Sequence, residues 1–383
     1  MMARQISLGL LLLIAVVGCQ EAPPPVVKSS PDNTLPVSDA LRSDTSGFKQ
    51  ALAPRPFIFP ADHGPHDDFA TEWWYFTGNL ATETGRRFGY QLTFFRVGLN
   101  ATPIPRASHW ASSQLYMAHF ALTDVQGETF HRFERFARAL PSLAGAQAQP
   151  LRVWLEGWSL ASLTESTFPL QLQAQQEEVA IDLRLVEGDK PLVLQGDKGL
   201  SQKSSAVGNA SYYYSLTRLP TQGEIKIGSE RYQVSGESWF DREWSTSALS
   251  SSQAGWDWFS LQLDDHTELM FYQLRNKDGT TDPLSSGTLV NPHGEVQTIT
   301  SAEVLLTPLA YWRSATTGVR YPVQWRLTIP DRGINLTITP LLAQQEMALS
   351  VRYWEGAVEV SGEKRGQAIK GRGYLELAGY ARE

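Results

Sequence analysis

The sequence of 383 residues has very little cysteine and no concentration of positive charge. Its single cysteine is Cys19, so no intrachain disulfide can form and the fold must depend on its core. No run of lysine and arginine occurs and the formal net charge is -7, which excludes the basic surface that nucleic-acid phosphates require. We therefore expect no nucleic-acid partner.

The sequence also lacks the short motifs that mark common cofactor and hydrolase sites. It contains no G-x-S-x-G elbow, Walker loop, H-E-x-x-H pair or dinucleotide-binding fingerprint, so we expect no cofactor. The segment DHGPHDD, residues 62–68, does carry ligand-type side chains at close spacing. Because it contains Gly and Pro and has no partner cluster elsewhere, we interpret it as a surface turn and predict no metal site.

Long hydrophobic runs are confined to the N-terminus. Arg4 is followed by an apolar stretch at 6–17, too short to span a bilayer as a stable helix, and then by VVGC, which resembles a bacterial lipobox. We predict a lipoprotein signal peptide at residues 1–18 and an acyl lipid such as palmitate on Cys19. The alternative is an ordinary signal peptide with an accidental cysteine. No other stretch has 18 apolar residues, so no further membrane span is expected.

The next segment predicts how the protein is held at the membrane. Residues 19–52 are rich in Pro and Ser and are predicted to be a flexible tether behind the lipidated cysteine. Gln20, rather than aspartate, follows that cysteine, and by the sorting rule for bacterial lipoproteins this indicates the periplasmic face of the outer membrane. We expect a lipid-anchored monomer there.

Aromatic residues are abundant, with 12 Trp, 13 Tyr and 16 Phe, and together with 30 Gly they favour strands and tight turns. From about residue 53 onward, short alternating segments are separated by turn signals. So many strands predict an all-β fold of barrels or sandwiches, because closure removes exposed sheet edges. Short helical turns are expected near residues 109–118 and 341–347.

A weak internal repeat indicates two domains. The stretches EWWYFTGNLATETGRRFGYQLTFFR and DWFSLQLDDHTELMFYQLR each have an acidic residue, an aromatic strand, a polar turn and a second strand ending in an arginine, Arg96 or Arg275. Two similar β-domains would explain this, and chance similarity of aromatic strands is the alternative. We place the N-terminal domain at residues 53–236 and the C-terminal domain at residues 237–383.

Two aromatic runs, TEWWYFTGN and SWFDREWS, contain carboxylates. Along a strand, neighbouring side chains point to opposite sides, so each run has two faces. The faces that carry carboxylates are Glu72, Trp74 and Phe76 in the first run and Trp239, Asp241 and Glu243 in the second. The opposite faces are Trp73, Tyr75 and Thr77 in the first run and Phe240, Arg242 and Trp244 in the second.

These carboxylates have two interpretations. In an apolar, aromatic cavity a carboxylate has a raised pKa, because its charged form is poorly solvated, and it can then donate a proton near neutral pH. Alternatively, a carboxylate pairs with Arg242, Arg96 or Arg275 and closes a barrel end without any chemistry. We favour the structural role for Glu72 and leave both roles open for Asp241.

Two further polar features lie within predicted strands. His119, in LYMAHFAL, is interpreted as a hydrogen-bonded core residue rather than a base. In SYYYSLTRL, Tyr212 and Tyr214 are predicted to face one way and Tyr213 the other. Tyrosine has a wide apolar ring with one polar end, which suits either the wall of a ligand cavity or a barrel core.

Six motifs together resemble the AttH and carotenoid 1,2-hydratase (CrtC) family of lipocalin-like proteins: TEWWYFTGNL, YYYSLTRL, ESWFDREWSTS, GWDWFSLQL, YWEGAVEVSG and GRGYLELAGY. The resemblance extends from about residue 60 to the C-terminus. It implies two consecutive lipocalin-like antiparallel β-barrel domains packed together.

The resemblance also implies functions, which differ within the family. Its hydratases add water across an isoprenoid double bond by protonating the alkene without a cofactor, and the aspartate that donates the proton matches Asp241. The accessory His and Trp of the hydratases fall at Tyr212 and Tyr214, which is a departure from that pattern. Bacterial AttH-type members are mostly secreted or lipidated and are often encoded beside an ABC exporter.

Three functions follow as hypotheses. The first is a lipid-anchored protein that binds a small hydrophobic molecule, isoprenoid- or lipid-like, in the cell envelope with an ABC exporter as partner. The second is a cofactor-independent hydratase, isomerase or cyclase with Asp241 as general acid. The third is a hydrolase with two carboxylates, such as a glycosidase.

The hypotheses name specific side chains. In the enzyme hypothesis Trp239, Tyr212 and Tyr214 stabilise the developing cation. The predicted ligand-binding residues are Glu72, Trp74, Trp244, Trp256 and Trp258. An Asp241 neutralised by an arginine would exclude the general-acid role, because its pKa would then fall.

Overall fold

The computed structural model describes residues 35–36, 45–102, 112–247 and 249–381. The predicted signal peptide, Cys19 and most of the predicted tether lie outside these residues. The helical turns expected near 109–118 and 341–347 are wrong for the part described, which holds a strand from Gln114 and, after a loop, a strand from Glu346. Within the described ranges, no helix is long and apolar enough to cross a membrane.

The described chain is built from β-strands, which confirms the predicted all-β fold class. Its helical elements are two 3-10 turns, Ala61–His63 and Pro330–Arg332. The strands in chain order are β1 (Leu35–Pro36), β2 (Thr71–Ala81), β3 (Arg87–Gly98), β4 (Gln114–Asp124), β5 (Thr129–Arg138), β6 (Ala144–Ala148), β7 (Leu151–Leu155), β8 (Trp158–Ser162), β9 (Leu170–Gln176), β10 (Val179–Leu185), β11 (Val193–Leu194), β12 (Leu200–Gln202), β13 (Ala210–Ile227), β14 (Glu230–Ser245), β15 (Gln253–Leu263), β16 (Glu268–Asn276), β17 (Ser286–Val290), β18 (Val296–Thr300), β19 (Leu305–Arg313), β20 (Arg320–Ile329), β21 (Ile334–Pro340), β22 (Glu346–Ala348), β23 (Val351–Lys364) and β24 (Gln367–Ala378).

The first sheet contains the strands β2 to β14 in antiparallel pairs. Its order is β5, β4, β3, β2, β14, β13, β10, β9, β8, β7 and β6, with the short β11 and β12 also paired to β13. Contacts of β3, β4 and β5 with β7 bring its two ends together into a nearly closed barrel. Alternate residues of each strand fill the interior, among them Trp74, Phe76, Tyr90, Phe94 and Phe240.

The second sheet contains β1 and the strands β15 to β24. Its order is β18, β17, β16, β15, β24, β23, β21, β20 and β19, with β22 and the two-residue β1 also paired to β23. The pairing of β1 is parallel and the others are antiparallel. Its own core includes Phe259, Trp325, Trp354 and Leu375. Each sheet therefore has a separate apolar core.

The change from one sheet to the other lies later in the chain than we predicted. The boundary expected between residues 236 and 237 falls inside β14, whose sixteen residues all belong to the first sheet. β14 continues because both of its edges are paired, to β13 on one side and β2 on the other, as far as Ser245. By sheet membership the division lies between Ser245 and Gln253.

The two sheets pack directly against each other. β2 contacts β24, β3 contacts β23 and β13 contacts β15. At Gly89 the approach is so close that a Cβ on this residue would lie 2.3 Å from the Cβ of Ala357. β2 and β14 are therefore covered by the barrel core on one face and by the second sheet on the other. This double burial explains why neither of the two aromatic runs has a solvent-exposed face.

Candidate functional site

A cavity lies between the two sheets, with walls from both. The centre of a water molecule can occupy about 100 Å³ of it, and the cavity opens to solvent. Eight aromatic side chains dominate the lining: Trp73, Tyr75, Phe95, Tyr213, Trp256, Trp258, Tyr272 and Tyr353. Four ionisable side chains share it: Lys203, Asp241, Glu243 and Glu376. The site is thus an aromatic cavity with a few convergent charged groups, as small-molecule sites usually are.

Asp241, on β14, lines this cavity and is held by three hydrogen-bond donors. Tyr213 Oη donates to Oδ2 at 2.5 Å, while Ser215 Oγ and Trp239 Nε1 donate to Oδ1 at 2.6 and 2.7 Å. Trp258 Nε1 donates in turn to Tyr213 Oη at 3.1 Å. Among the residues described, no arginine or lysine forms an ion pair with Asp241. The structure therefore lacks the pairing that would have excluded a general-acid role.

The surroundings of Asp241 raise its pKa toward neutral pH. Burial raises the pKa of Asp241 to about 7, even though the three hydrogen bonds favour the ionised form. The nearby negative charge of Glu243 acts in the same direction as burial. A carboxyl group with this pKa can both donate and recover a proton near neutral pH.

Glu243, two residues further along β14, is neutralised within the cavity. Lys203 Nζ lies 3.0 Å from Glu243 Oε1. The same ammonium group lies 4.5 Å from the ring centroid of Tyr272 and 5.3 Å from that of Tyr213. Burial disfavours the charge of Lys203, but Glu243, Tyr272 and Asp241 together outweigh this effect and raise the pKa of Lys203. The cavity therefore contains one fixed ammonium group against aromatic rings.

The wall from the second sheet adds two carboxyl groups. Glu376 on β24 lines the cavity and accepts a hydrogen bond from Trp256 Nε1 at 2.8 Å. Glu355 on β23 lies opposite Glu376 in the strand register and accepts from Tyr75 Oη at 2.6 Å. Burial raises the pKa of Glu376 to about 8, and burial with repulsion by Glu376 raises that of Glu355 well above its usual range. Both carboxyl groups therefore tend to hold protons.

Of the five predicted ligand-binding residues, two line the cavity: Trp256 and Trp258. Trp74 and Trp244 are fully buried in the core of the first barrel, on the other side of the strands. Glu72 lies among them, so none of these three is available to a molecule in the cavity. The alternation along each strand was predicted correctly, but the side that borders the cavity is the one opposite Glu72.

Glu72 forms a buried ion-pair network that closes one end of the barrel. Its carboxylate accepts hydrogen bonds from Arg96 and Arg242, and the backbone N–H of His66 donates to Oε2 at 3.0 Å. The ring of His66 stacks on Trp244 with a centroid separation of 3.7 Å. Burial opposes ionisation of Glu72, but the two guanidinium groups hold its pKa well below the usual range. This is the structural role that we favoured for Glu72.

Tyr212 and Tyr214, which the resemblance aligned with the accessory His and Trp of the hydratases, also point into the barrel. Tyr212 Oη donates to the carbonyl of Ala53 at 2.9 Å, and Tyr214 Oη lies 2.6 Å from His63 Nδ1. Tyr213 points the opposite way and is the tyrosine that contacts Asp241. Trp239 was predicted, with Tyr212 and Tyr214, to stabilise a cation beside Asp241, and of these three it is the one that contacts Asp241.

The histidine-rich segment 62–68 is partly buried rather than a surface turn. Asp62 and His63 are buried against the barrel end, so the interpretation as a surface turn is wrong for the first half of the segment. In the described ranges, no group of three or more His, Cys, Asp or Glu side chains is arranged to hold a metal ion. His119 is a hydrogen-bonded core residue, with Nδ1 2.7 Å from Tyr353 Oη, and burial lowers its pKa to about 3.

The sequence reasoning missed Tyr213, Lys203, Glu376 and Glu355 as site residues. For Tyr213 a signal existed, because it was expected to face away from Tyr212 and Tyr214. Choosing the correct face requires the register of β13 with β14, which pairs Ser215 with Asp241. Glu355 and Glu376 lie in two of the motifs that carry the family resemblance, YWEGAVEVSG and GRGYLELAGY, but nothing in these motifs shows that their side chains meet Asp241. No local pattern marks Lys203.

Two sheets with separate cores and a shared aromatic cavity define a lipocalin-like β-protein. The family model described as AttH-like matches residues 50–380, so this chain belongs to the AttH-like family. No curated protein matches it. The crystal structure of an AttH protein from Nitrosomonas europaea is similar, with 37% sequence identity and a TM-score of 0.76. That similarity covers 86% of this chain and 100% of the other.

Two more distant structures share the fold. Kievitone hydratase from Nectria haematococca has 16% identity and a TM-score of 0.66. The match covers 88% of this chain and 98% of the hydratase chain. CghA has 13% identity and a TM-score of 0.52, and the match covers 89% of this chain and 98% of CghA. At these identities the comparison shows the fold alone, and function must be argued from the cavity.

Proposed function

We propose that this protein binds a small hydrophobic molecule in the cavity between its sheets and that Asp241 acts on this molecule as a general acid. The observation that carries the proposal is the setting of Asp241, a carboxyl group without a cationic partner in the described structure, inside an aromatic cavity. A binding protein alone would need the aromatic walls but not an acid among them. The general-acid hypothesis is therefore favoured over binding alone.

The chemistry needs no cofactor. The Asp241 carboxyl transfers its proton to one carbon of an alkene, which forms a C–H bond and leaves a carbocation and the Asp241 carboxylate. Trp256 and Trp258 line the cavity and stabilise the positive charge through their rings. Addition of water followed by loss of a proton completes a hydration, and loss of a neighbouring proton completes an isomerisation. Ring closure onto a second alkene, followed by proton loss from the new carbocation, completes a cyclisation. In each case the released proton returns to the Asp241 carboxylate.

Tyr213 takes part because its hydroxyl lines the cavity and touches the acid. At 2.5 Å from Asp241 Oδ2, it donates a hydrogen bond that stabilises the Asp241 carboxylate left after proton transfer. Removing this hydroxyl leaves the carboxyl in place but removes that stabilisation. Tyr213→Phe is thus expected to lower turnover without abolishing binding.

We also propose that the protein is anchored in the cell envelope by a lipid. The lipobox-like sequence before Cys19 supports attachment to the periplasmic face of the outer membrane, and an ABC exporter is the proposed partner. The test is incorporation of labelled palmitate by growing cells. Label in the wild type that is lost in Cys19→Ser supports the anchor, and equal label in both contradicts it.

The functional test starts from protein purified from its own cells. Native mass spectrometry followed by solvent extraction identifies the bound compound, which is then incubated with wild type, Asp241→Asn and Tyr213→Phe. Glu359→Gln, an exposed carboxylate outside this cavity, is the matched control. We expect product from the wild type and the control, less from Tyr213→Phe and none from Asp241→Asn. Equal product from all four, or no apolar compound bound, contradicts the proposal.

A further inference from the structure

We propose that the mouth of this cavity docks on the surface of a phospholipid membrane, so that apolar molecules pass between the bilayer and the cavity without crossing bulk water. This inference rests on the proposed function, since it names the partner from which the same cavity takes its ligand. Three observations carry it: the position of the mouth, the place where the N-terminal segment joins the fold, and the apolar side chains exposed around both.

The mouth of the cavity lies at one end of the two sheets. Among the lining residues, Lys203 follows the end of β12, and Ser247 and Leu249 follow the end of β14; all three are partly exposed. Asp241 and Tyr213, which line the cavity from within the strands, are buried. The loops that follow β12 and β14 therefore form part of the rim of the opening. We call the end of the molecule at which β14 ends the mouth end.

The N-terminal segment joins the first barrel beside this rim. The carbonyl of Lys49 accepts a hydrogen bond from Thr246 Oγ1, in the loop after β14. In the loop after β12, a Cβ on Gly208 would lie 2.5 Å from Oε1 of Gln50, and the Gly208 carbonyl accepts a hydrogen bond from Ser247 Oγ at 3.0 Å. The chain therefore enters the barrel in contact with both loops of the rim.

The short strand β1 leads to the same end of the molecule. Its backbone pairs with Val351 and Arg352 at the start of β23, and the next residue, Tyr353, lines the cavity. Leu35 follows Cys19 by 16 residues, so the lipid proposed on Cys19 is attached within about 55 Å of β1 even if the chain between them is fully extended. The anchor therefore draws the mouth end, rather than the opposite end, toward the bilayer.

Large apolar side chains are exposed at the mouth end. Val207, in the loop after β12, is 87% exposed, and Leu52, just after the segment that contacts the rim, is 61% exposed. Ile58 and Phe59 are also exposed, on the segment that covers the same end of the first barrel, where the ring of Phe59 packs on Tyr214. Insertion of such side chains between lipid headgroups removes apolar surface from water. The mouth end can therefore bind a bilayer through these residues.

Two ion pairs at this end reduce the electrostatic cost of approaching a bilayer. Lys49 is paired with Asp68 at 2.5 Å, and Arg55 is paired with Asp62 at 2.7 Å. Because each pair is neutral, neither repels a lipid surface nor attracts anionic headgroups in particular. We therefore expect the contact to depend on apolar insertion, to form on zwitterionic phosphatidylcholine and to resist added salt.

The opposite end of the molecule supplies a matched control. Leu305, at the start of β19, is 59% exposed, nearly the same as Leu52. Through the pairing of β19, β20, β21 and β23 it lies level with Glu363. Glu363 lies ten residues beyond Tyr353 on β23, which is roughly 33 Å at about 3.3 Å per residue. Leu305 is therefore as apolar and exposed as Leu52 but far from the mouth.

The test places a fluorophore at each end of the full-length protein, purified with its lipid from its own cells. Cys19 is the single cysteine of the sequence and carries the lipid, so Val207→Cys, Leu52→Cys and Leu305→Cys each add one free thiol. Each variant is labelled with an environment-sensitive dye and reconstituted into phosphatidylcholine vesicles with and without nitroxide groups on the lipid chains. Wild type taken through the same labelling measures any dye on Cys19.

We expect the nitroxide lipid to quench the dye at positions 207 and 52 about twofold or more strongly than the dye at position 305. Emission at the two rim positions should also shift to the blue when vesicles are added, and added salt should leave both effects unchanged. The melting temperatures of the variants should match that of the wild type. If a rim variant folds poorly, Ile58→Cys replaces it.

Stronger quenching at both rim positions than at position 305 supports the inference. Any other order among the three positions overturns it, since the mouth would then not face the bilayer. Failure of the labelled protein to attach to the vesicles also overturns it, and palmitate incorporation then shows whether the proposed anchor has failed as well. None of these results decides the proposed chemistry, because turnover of the extracted compound is measured in detergent solution without vesicles.

Discussion

Replacing the buried acid Asp241 with asparagine should make the protein more stable at pH 8. The carboxyl group in the folded protein has a pKa raised from 3.8 to about 7. The folded state therefore binds more protons than the unfolded state between these values. The stabilisation by the protonated form is complete below the lower value and is lost as pH rises through the higher one. Asparagine cannot ionise, so Asp241→Asn avoids this loss.

The size of this stability change follows from the pKa shift of Asp241. Each tenfold change in the proton dissociation constant is worth about 1.4 kcal/mol, so ionising Asp241 costs about 4 kcal/mol of folding free energy. About 2.5 kcal/mol of this loss falls between pH 5 and pH 8. Asparagine retains a carbonyl that can accept the hydrogen bonds of Ser215 and Trp239, so little of the gain is lost to unsatisfied donors.

Urea denaturation of both proteins at pH 5 and pH 8 measures this difference. The free energy of unfolding of Asp241→Asn, relative to the wild type, should increase by about 2.5 kcal/mol from the lower to the higher pH. The control Glu359→Gln should show no such change, because its carboxylate is exposed. A variant that is equally destabilised at both pH values would refute the reasoning, since Asp241 would then be ionised throughout.

Other substitutions test the barrel end and the packing of the sheets. Glu72→Gln leaves two buried arginines without their counter-charge and should lower the free energy of unfolding by about 3–5 kcal/mol in urea denaturation; a loss below about 1 kcal/mol would contradict the buried network. Gly89→Ala places a Cβ 2.3 Å from the Cβ of Ala357 and should destabilise by about 1–3 kcal/mol and weaken binding in the cavity. Gly157→Ala, whose nearest atom would be 3.8 Å away, is its control and should leave both properties unchanged.

Much of the fold could be predicted from residue patterns. Alternation along TEWWYFTGN correctly separates Trp73 and Tyr75 from Trp74 and Phe76, because side chains of a strand must point to opposite sides. The abundance of aromatic and short alternating segments correctly predicts an all-β fold. The boundary was misplaced because β14 has partners on both edges, and nothing local shows that the strand continues to Ser245.

The site was harder to predict because it is assembled by long-range contacts. Asp241 and Trp258 were identified from their aromatic neighbourhoods, and both line the cavity. Whether Tyr213 or its neighbours Tyr212 and Tyr214 lie on the same side as Asp241 depends on strand register. A shift of the register by one residue would bring Tyr212 and Tyr214 to that side instead. Glu376 lies in the motif GRGYLELAGY, but it meets the cavity only through packing of the second sheet on the first, which the motif does not reveal.

The most direct test of the central claim is an infrared titration of the Asp241 carboxyl group. Protein labelled with ¹³C-aspartate is measured from pH 5 to pH 9, and the spectrum of Asp241→Asn is subtracted, so that signals from other buried acids such as Asp257 cancel. We predict a protonated-carboxyl band in the difference spectrum that disappears as pH rises, with a midpoint near 7. Absence of this band already at pH 5 would show an ionised Asp241 and contradict its role as a general acid.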